Sequence, residues 1–130
     1  MKKVIGVGVI LQTERGTFLL QERDMNAELH PGRIAPFGGG IEKDENVFQC
    51  AQREILEELD LNIDIENLET IDIFRCNHDP DVYIHFFFAN NINPVNLKLN
   101  EGKSIVELSK EEALAHGNVT DFTKEVLRFV

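Results

Sequence analysis

Glu54, Glu57 and Glu58 lie within five residues of one another in the stretch Arg53-Glu54-Ile55-Leu56-Glu57-Glu58. On a helix, spacings of three and four put the three carboxylates on one face, where each like-charge pair costs roughly 0.2–0.5 kcal/mol. Close to the helix C-terminus an exposed anion also meets the negative pole of the dipole, at a further cost of roughly 0.3–1 kcal/mol. Arg53 stands four residues before Glu57, the weaker order for a helical ion pair, and one cation does not balance three anions. A hard divalent ion would, because Mg2+ or Mn2+ prefers carboxylate oxygen and keeps positions for water or phosphate oxygens. The plain alternative is a solvated face on an acidic protein. The cluster alone leaves both readings open. Just upstream, Gly38, Gly39 and Gly40 suit a tight turn or a close approach of backbone to metal or phosphate.

These residues need a helix and a loop to present them. Asn46 followed three residues later by Gln49 has capping-box spacing, and Val47, Ala51, Ile55 and Leu59 then recur every four residues, which predicts a helix over 47–59. Upstream, residues 4–11 and 17–22 flank an Arg15-Gly16 turn and predict an antiparallel hairpin. Residues 24–40 contain Pro31, Gly32, Pro36 and three glycines, which predicts irregular chain with one short strand around 33–37. Downstream, residues 70–76 and 82–89 predict strands around a turn at 77–81, the second apolar on both faces and therefore central. A further strand is expected near 104–108. Ser109 with Glu112 forms a second capping box, and Thr120 precedes an amphipathic run with Phe122, Val126, Leu127 and Phe129, so two helices close the chain. The class is α+β, or mixed α/β, with a sheet covered by helices.

Length and composition bound the function. The 130 residues, 42% hydrophobic and 28% charged, suit one domain with a real core, without linker, repeat or low-complexity tract. A net charge of −10 argues against binding polymeric nucleic acid, which needs Lys and Arg on phosphates, and against anionic membranes. It leaves room for a phosphorylated small molecule, because a bound divalent cation reverses the local field. Lys2 and Lys3 before the apolar run 4–11 read as the start of a strand, since Gly6 and Gly8 interrupt the run and no cleavage site follows. Two cysteines, Cys50 and Cys76, are too few for a disulfide framework, so a reduced, cytoplasmic setting is expected. His30, His78, His85 and His116 have no metal-ligand spacing, and Phe86, Phe87 and Phe88 read as core. No serine or cysteine triad is apparent.

Residues 39–61 resemble the Nudix box: a Gly, five residues, a Glu, seven residues, Arg-Glu, an aliphatic, any residue, Glu-Glu, any residue, a Gly and an aliphatic. Gly39, Glu45, Arg53, Glu54, Ile55, Glu57, Glu58 and Leu61 occupy those places, and Asp60 stands where the family has its helix-ending glycine. Aspartate accepts a left-handed cap less well than glycine but better than most residues, so a small stability cost is expected. The remainder of the chain is similar to a MutT-like Nudix domain. The resemblance implies a central mixed sheet between helices in one domain spanning 1–130, and a site requiring Mg2+, with Mn2+ as an alternative.

By the same resemblance Glu54, Glu57 and Glu58 bind the metal with the backbone carbonyl of Gly38, while Glu45 and Arg53, with Gly39, hold the loop on the helix. Gly40 stands where some relatives carry lysine. The Glu-Gly pair of Glu101 and Gly102 offers Glu101 as a further ligand, with Glu107 as the alternative. The implied reaction is hydrolysis of a diphosphate linkage in a nucleotide derivative, with Glu54 first among candidate bases. A nucleoside triphosphate, its purine oxidised or not, is the leading substrate and gives monophosphate plus pyrophosphate. ADP-ribose, nucleotide sugars and dinucleoside polyphosphates are the rivals, and a non-catalytic nucleotide- or protein-binding domain is the rival of another class. Arg23 is a candidate for phosphate or sugar, and Asn118 or Asp121 for the base. Monomer and homodimer both remain open.

Overall fold

The computed structural model describes residues 3–75 and 79–130. Cys76, His78 and the first two residues of the expected turn at 77–81 lie outside the described residues. The elements run β1 (Lys3–Thr13), β2 (Phe18–Glu22), β3 (Ile34–Ala35), β4 (Phe37–Gly40), α1 (Val47–Leu59), β5 (Glu69–Arg75), β6 (Val82–Ile92), β7 (Ser104–Leu108), α2 (Lys110–Ala115) and α3 (Asp121–Leu127). Short 3-10 turns at Ile65–Asn67 and Pro94–Asn96 flank the β5–β6 pair.

The predicted hairpin forms, with Leu11 opposite Leu19. One strand expected around 33–37 becomes two, β3 and β4, with Pro36 between them; proline has no N–H to offer a ladder. The sheet order is β3-β2-β1-β6-β5, with β4 on β1 and β7 on β2. β6 lies between β1 and β5, as its two apolar faces predict, pairing parallel with β1 and antiparallel with β5. The antiparallel β1–β4 ladder sets Gly8 against Gly38 and Val7 against Gly39, which fixes the glycine loop on the sheet.

Alternation along β1 and β6 divides the core in two. Val7, Val9, Leu11, Phe87 and Ala89 pack under Cys50, Ala51, Ile55 and Leu59 of α1. Ile10, Leu20 and Phe86 pack under Ala113, Val119, Val126 and Leu127 on the opposite face. The sheet is thus covered by helices on both sides, an α+β arrangement. His85 belongs to this packing. Its ring stacks on Phe87 at 4.4 Å, its Nε2 lies 3.0 Å from the Thr70 hydroxyl, and burial lowers its pKa. Among the described residues no helix is long and apolar enough to cross a membrane.

Candidate active site

The two ends of α1 are built differently. At the start, the Asn46 side chain accepts from the Gln49 N–H at 2.8 Å and the Gln49 side chain accepts from the Asn46 N–H at 2.9 Å, the expected capping box. At the end, Asp60 adopts the left-handed conformation (φ 55°, ψ 30°) and its N–H donates to the Leu56 carbonyl at 3.0 Å. Aspartate therefore performs the turn that the family motif assigns to glycine.

Arg53 organises the loop. Its Nε and Nη2 donate to both oxygens of Glu45 at 2.6 and 2.9 Å, Nη2 also to the Gly40 carbonyl at 2.9 Å, and Nη1 to Glu54 at 2.9 Å and Glu57 at 3.2 Å. This bidentate pair, with the Glu42 N–H, holds the Glu45 carboxyl down at about 2, well below the usual range. The Cys50 thiol beneath the loop is buried, which pushes its pKa up to about 12 and leaves it an inert part of the core.

The glycines admit the carboxylates. A Cβ on Gly39 would collide with the carboxylate of Glu54, and Gly38, at φ 153°, has the carbonyl of Val7 where a side chain would start. The Gly38 N–H donates to Glu58 at 3.1 Å. Glu58 is only 2% exposed, and burial, with the charges of Glu54 and Glu101, pushes its carboxyl up to about 8. Burial likewise raises Glu54, against the opposing pull of Arg53, with Glu57 and Glu101 adding repulsion. Glu57 is the exposed member, its side chain 55% accessible.

Among the described residues no three acidic, histidine or cysteine side chains converge in a ready coordination shell. Arg53 Nη1, within 3.2 Å of both Glu54 and Glu57, occupies the position of a counter-ion between them. The donor set nevertheless fits a hard divalent cation: all side-chain donors are carboxylates, two of them have pKa values raised by burial first and by neighbouring negative charge second, and the glycine backbone comes close beside Glu54.

All four carboxylates line one cleft of about 690 Å3, Glu101 among them. Gly38, Gly39, Gly40, Arg53 and Arg23 share its wall, and Phe74, Phe86, Phe122 and Ile84 form an apolar end. Arg23 spends its Nε on the Leu29 carbonyl at 2.7 Å. Glu107 lies elsewhere, paired with Arg15 and Thr17 at 2.6 Å, so of the two late glutamates only Glu101 reaches the cleft. Asn118 and Asp121 do not line it either. The Asn118 carbonyl accepts from Ile34 N–H and Arg33 Nε, its N–H donates to His116 Nδ1, and Asp121 opens α3, so the next residue, Phe122, faces the cleft instead. The helix starting at 121 turns successive residues by about 100°, which separates the direction of Asp121 from that of Phe122.

Two contributors carried no sequence signal: Asn100, which donates to α1 carbonyls, and Gln21, buried under Glu101. Phe122 was visible only as part of an amphipathic run.

A family model described as NUDIX domain matches residues 2–128. The chain belongs to the Nudix hydrolase family. Its Nudix fold is shared with the MutT protein from Methanosarcina mazei Go1 (TM-score 0.79, 22% identity, 98% of this chain and 94% of that one covered). It is shared also with a MutT NUDIX hydrolase from Burkholderia pseudomallei (0.81, 17%, 99% of each chain). A Caenorhabditis elegans Ap4A hydrolase in a binary complex has the same fold (0.68, 20%, 95% and 92%). In sequence, the Nudix chain is 37% identical over 59 residues to the m7GpppN-mRNA hydrolase NUDT17 of Danio rerio. That match covers 45% of this chain and spans only 20% of the relative's length.

Proposed function

We propose that this Nudix chain hydrolyses a diphosphate linkage in a nucleoside diphosphate derivative, using Mg2+ or Mn2+. The first substrate class is a nucleoside triphosphate, its purine oxidised or not, giving monophosphate and pyrophosphate. One observation carries the reading: a single cleft joins the carboxylates of Glu54, Glu57, Glu58 and Glu101, beside a glycine loop, to the aromatic side chains of Phe74, Phe86 and Phe122. The family assignment and the hydrolase-named neighbours support it.

Glu54, Glu57, Glu58 and Glu101, with the Gly38 carbonyl, would hold the cation. When bound, it would neutralise phosphate charge and lower the pKa of the attacking water. Glu54 accepts the proton as the water oxygen bonds to phosphorus and the bridging P–O bond breaks, with its electron pair leaving on the pyrophosphate. Arg53 holds the Gly40 carbonyl and Glu45 so that the loop keeps its shape. Arg23, in the cleft lining, would meet a phosphate or sugar, and the apolar end with Phe122 would receive the base.

The test is a Mg2+-dependent turnover panel of nucleoside triphosphates, oxidised purine nucleotides, nucleotide sugars, ADP-ribose, dinucleoside polyphosphates and capped dinucleotides. Free pyrophosphate from a triphosphate is expected. Turnover confined to ADP-ribose, a sugar nucleotide or a dinucleoside polyphosphate, without pyrophosphate, would transfer the assignment to those substrates. Binding without turnover on the whole panel would make the chain a binding domain.

A further inference from the structure

The carbonyls of Glu57, Glu58 and Leu59 lie in the last turn of α1, where a helix has no internal donors left. One loop supplies them. The N–H of Lys98 donates to Leu59 at 3.0 Å, the N–H of Asn100 to Glu58 at 2.8 Å, and Asn100 Nδ2 to Glu57 at 3.2 Å. From below, Gln21 on β2, 3% exposed, donates its Nε2 to the Glu101 carbonyl at 3.1 Å. Gly102 follows at φ 89°, so near Gln21 that a Cβ there would sit 2.7 Å from Nε2. Beyond it the Lys103 N–H donates to the Glu22 carbonyl at 2.8 Å and the loop enters β7. Glu101 is thus the residue between two fixed points, the end of α1 and the middle of the sheet.

We propose that Asn100 and Gln21 are positioning residues that hold Glu101 against Glu54 and Glu58 as the fourth carboxylate of the cation site. The inference rests on Glu101 being a ligand in the proposed function. Without the two amide contacts the loop would have to be ordered each time a cation binds, and that ordering would weaken binding. Asn100 is exposed, so its side chain contributes no core packing, and its effect on the cation passes through the Glu57 carbonyl that its Nδ2 holds.

The experiment is Mn2+ titration of the full chain, read from the resonance of free Mn2+, on wild type, Asn100→Ala, Gln21→Met, Glu101→Gln and Asn100→Ala with Glu101→Gln. Asn100→Ala and Gln21→Met should each weaken Mn2+ binding about 3- to 10-fold, the size of one net hydrogen bond. The double variant should bind no more weakly than Glu101→Gln alone, because the positioned ligand is already gone. If Glu101→Gln binds Mn2+ like wild type, Glu101 is no ligand and the inference falls with that part of the functional reading. If Glu101→Gln weakens binding while Asn100→Ala and Gln21→Met do not, or if the losses simply add, the positioning role is overturned and the ligand assignment stands.

Discussion

At the N-terminal end of α1, Asn46 and Gln49 satisfy two backbone N–H groups within four residues of sequence. At the C-terminal end, the Glu57 carbonyl is met by the Asn100 side chain, 43 residues further along the chain, and the carboxylates beside it repel one another. The first end follows local rules and contains no chemistry. The second breaks them, and the fold offsets the cost with donors from the 98–100 loop, the Gly38 N–H and Arg53. Self-repelling charge survives where distant parts of the chain have been arranged around it.

The strongest break of this contrast lies in Glu58. Glu58→Gln keeps an acceptor for the Gly38 N–H and removes a carboxyl whose ionisation burial penalises, so the metal-free protein should melt no lower than wild type. Mg2+-dependent turnover should nonetheless fall by at least about 100-fold, beyond the usual effect of losing an outer contact to a metal site. Glu57→Gln should show the same loss of rate with little change in metal-free stability, since its side chain is 55% accessible. Turnover undiminished in both variants would remove the glutamates from the site.

Arg53→Ala should cost about 2 kcal/mol in chemical denaturation, because it deprives several carboxylates of a charged donor at once. The Glu45 partner adds a pH signature. Its carboxyl, ordinarily at 4.5, is held at about 2 in the fold, so its contribution is fully present above about pH 4.5 and is lost as pH falls towards 2. Glu45→Gln should flatten that part of the acid stability profile, and an unchanged slope would show the pair to be inactive in solution.

The chain's legibility follows the same division. Short-range periodicity and side-chain to backbone spacing sufficed for α1, both capping boxes and the β1–β2 hairpin, because those contacts are made within a few residues. The glutamates were conspicuous as violations of those short-range rules. The parallel β1–β6 ladder, Gln21 beneath Glu101 and Asn100 over the helix end had no such mark, since an exposed asparagine reads as loop until its partners are known. Asn118 and Asp121 drew notice for being polar, whereas Phe122, at the start of α3, is the residue of that segment that lines the cleft.

At the conventional end, Asn46→Ala should cost about 1 kcal/mol of stability and leave Mg2+-dependent kcat/KM within about twofold, as a cap outside the cleft lining should. A large loss of rate would show that the two ends are coupled. The smallest effect is expected at Asp60→Gly, which relieves a left-handed aspartate at φ 55° and should stabilise by a few tenths of a kcal/mol, up to about 1, with turnover retained. Destabilisation there would mean that the aspartate side chain contributes more than its backbone conformation costs.

The central claim is that the C-terminal end of α1 is half of a cation site, completed by the 98–101 loop. Thermal melting of the wild-type chain with and without Mg2+, alongside Glu57→Gln and Glu58→Gln, tests it most directly. At one hundred times Kd, a cation that binds only the folded chain adds about 2.7 kcal/mol, so the wild-type midpoint should rise by several degrees and the variants' midpoints much less. An unchanged wild-type midpoint at saturating Mg2+, or an equal rise in all three proteins, would contradict it.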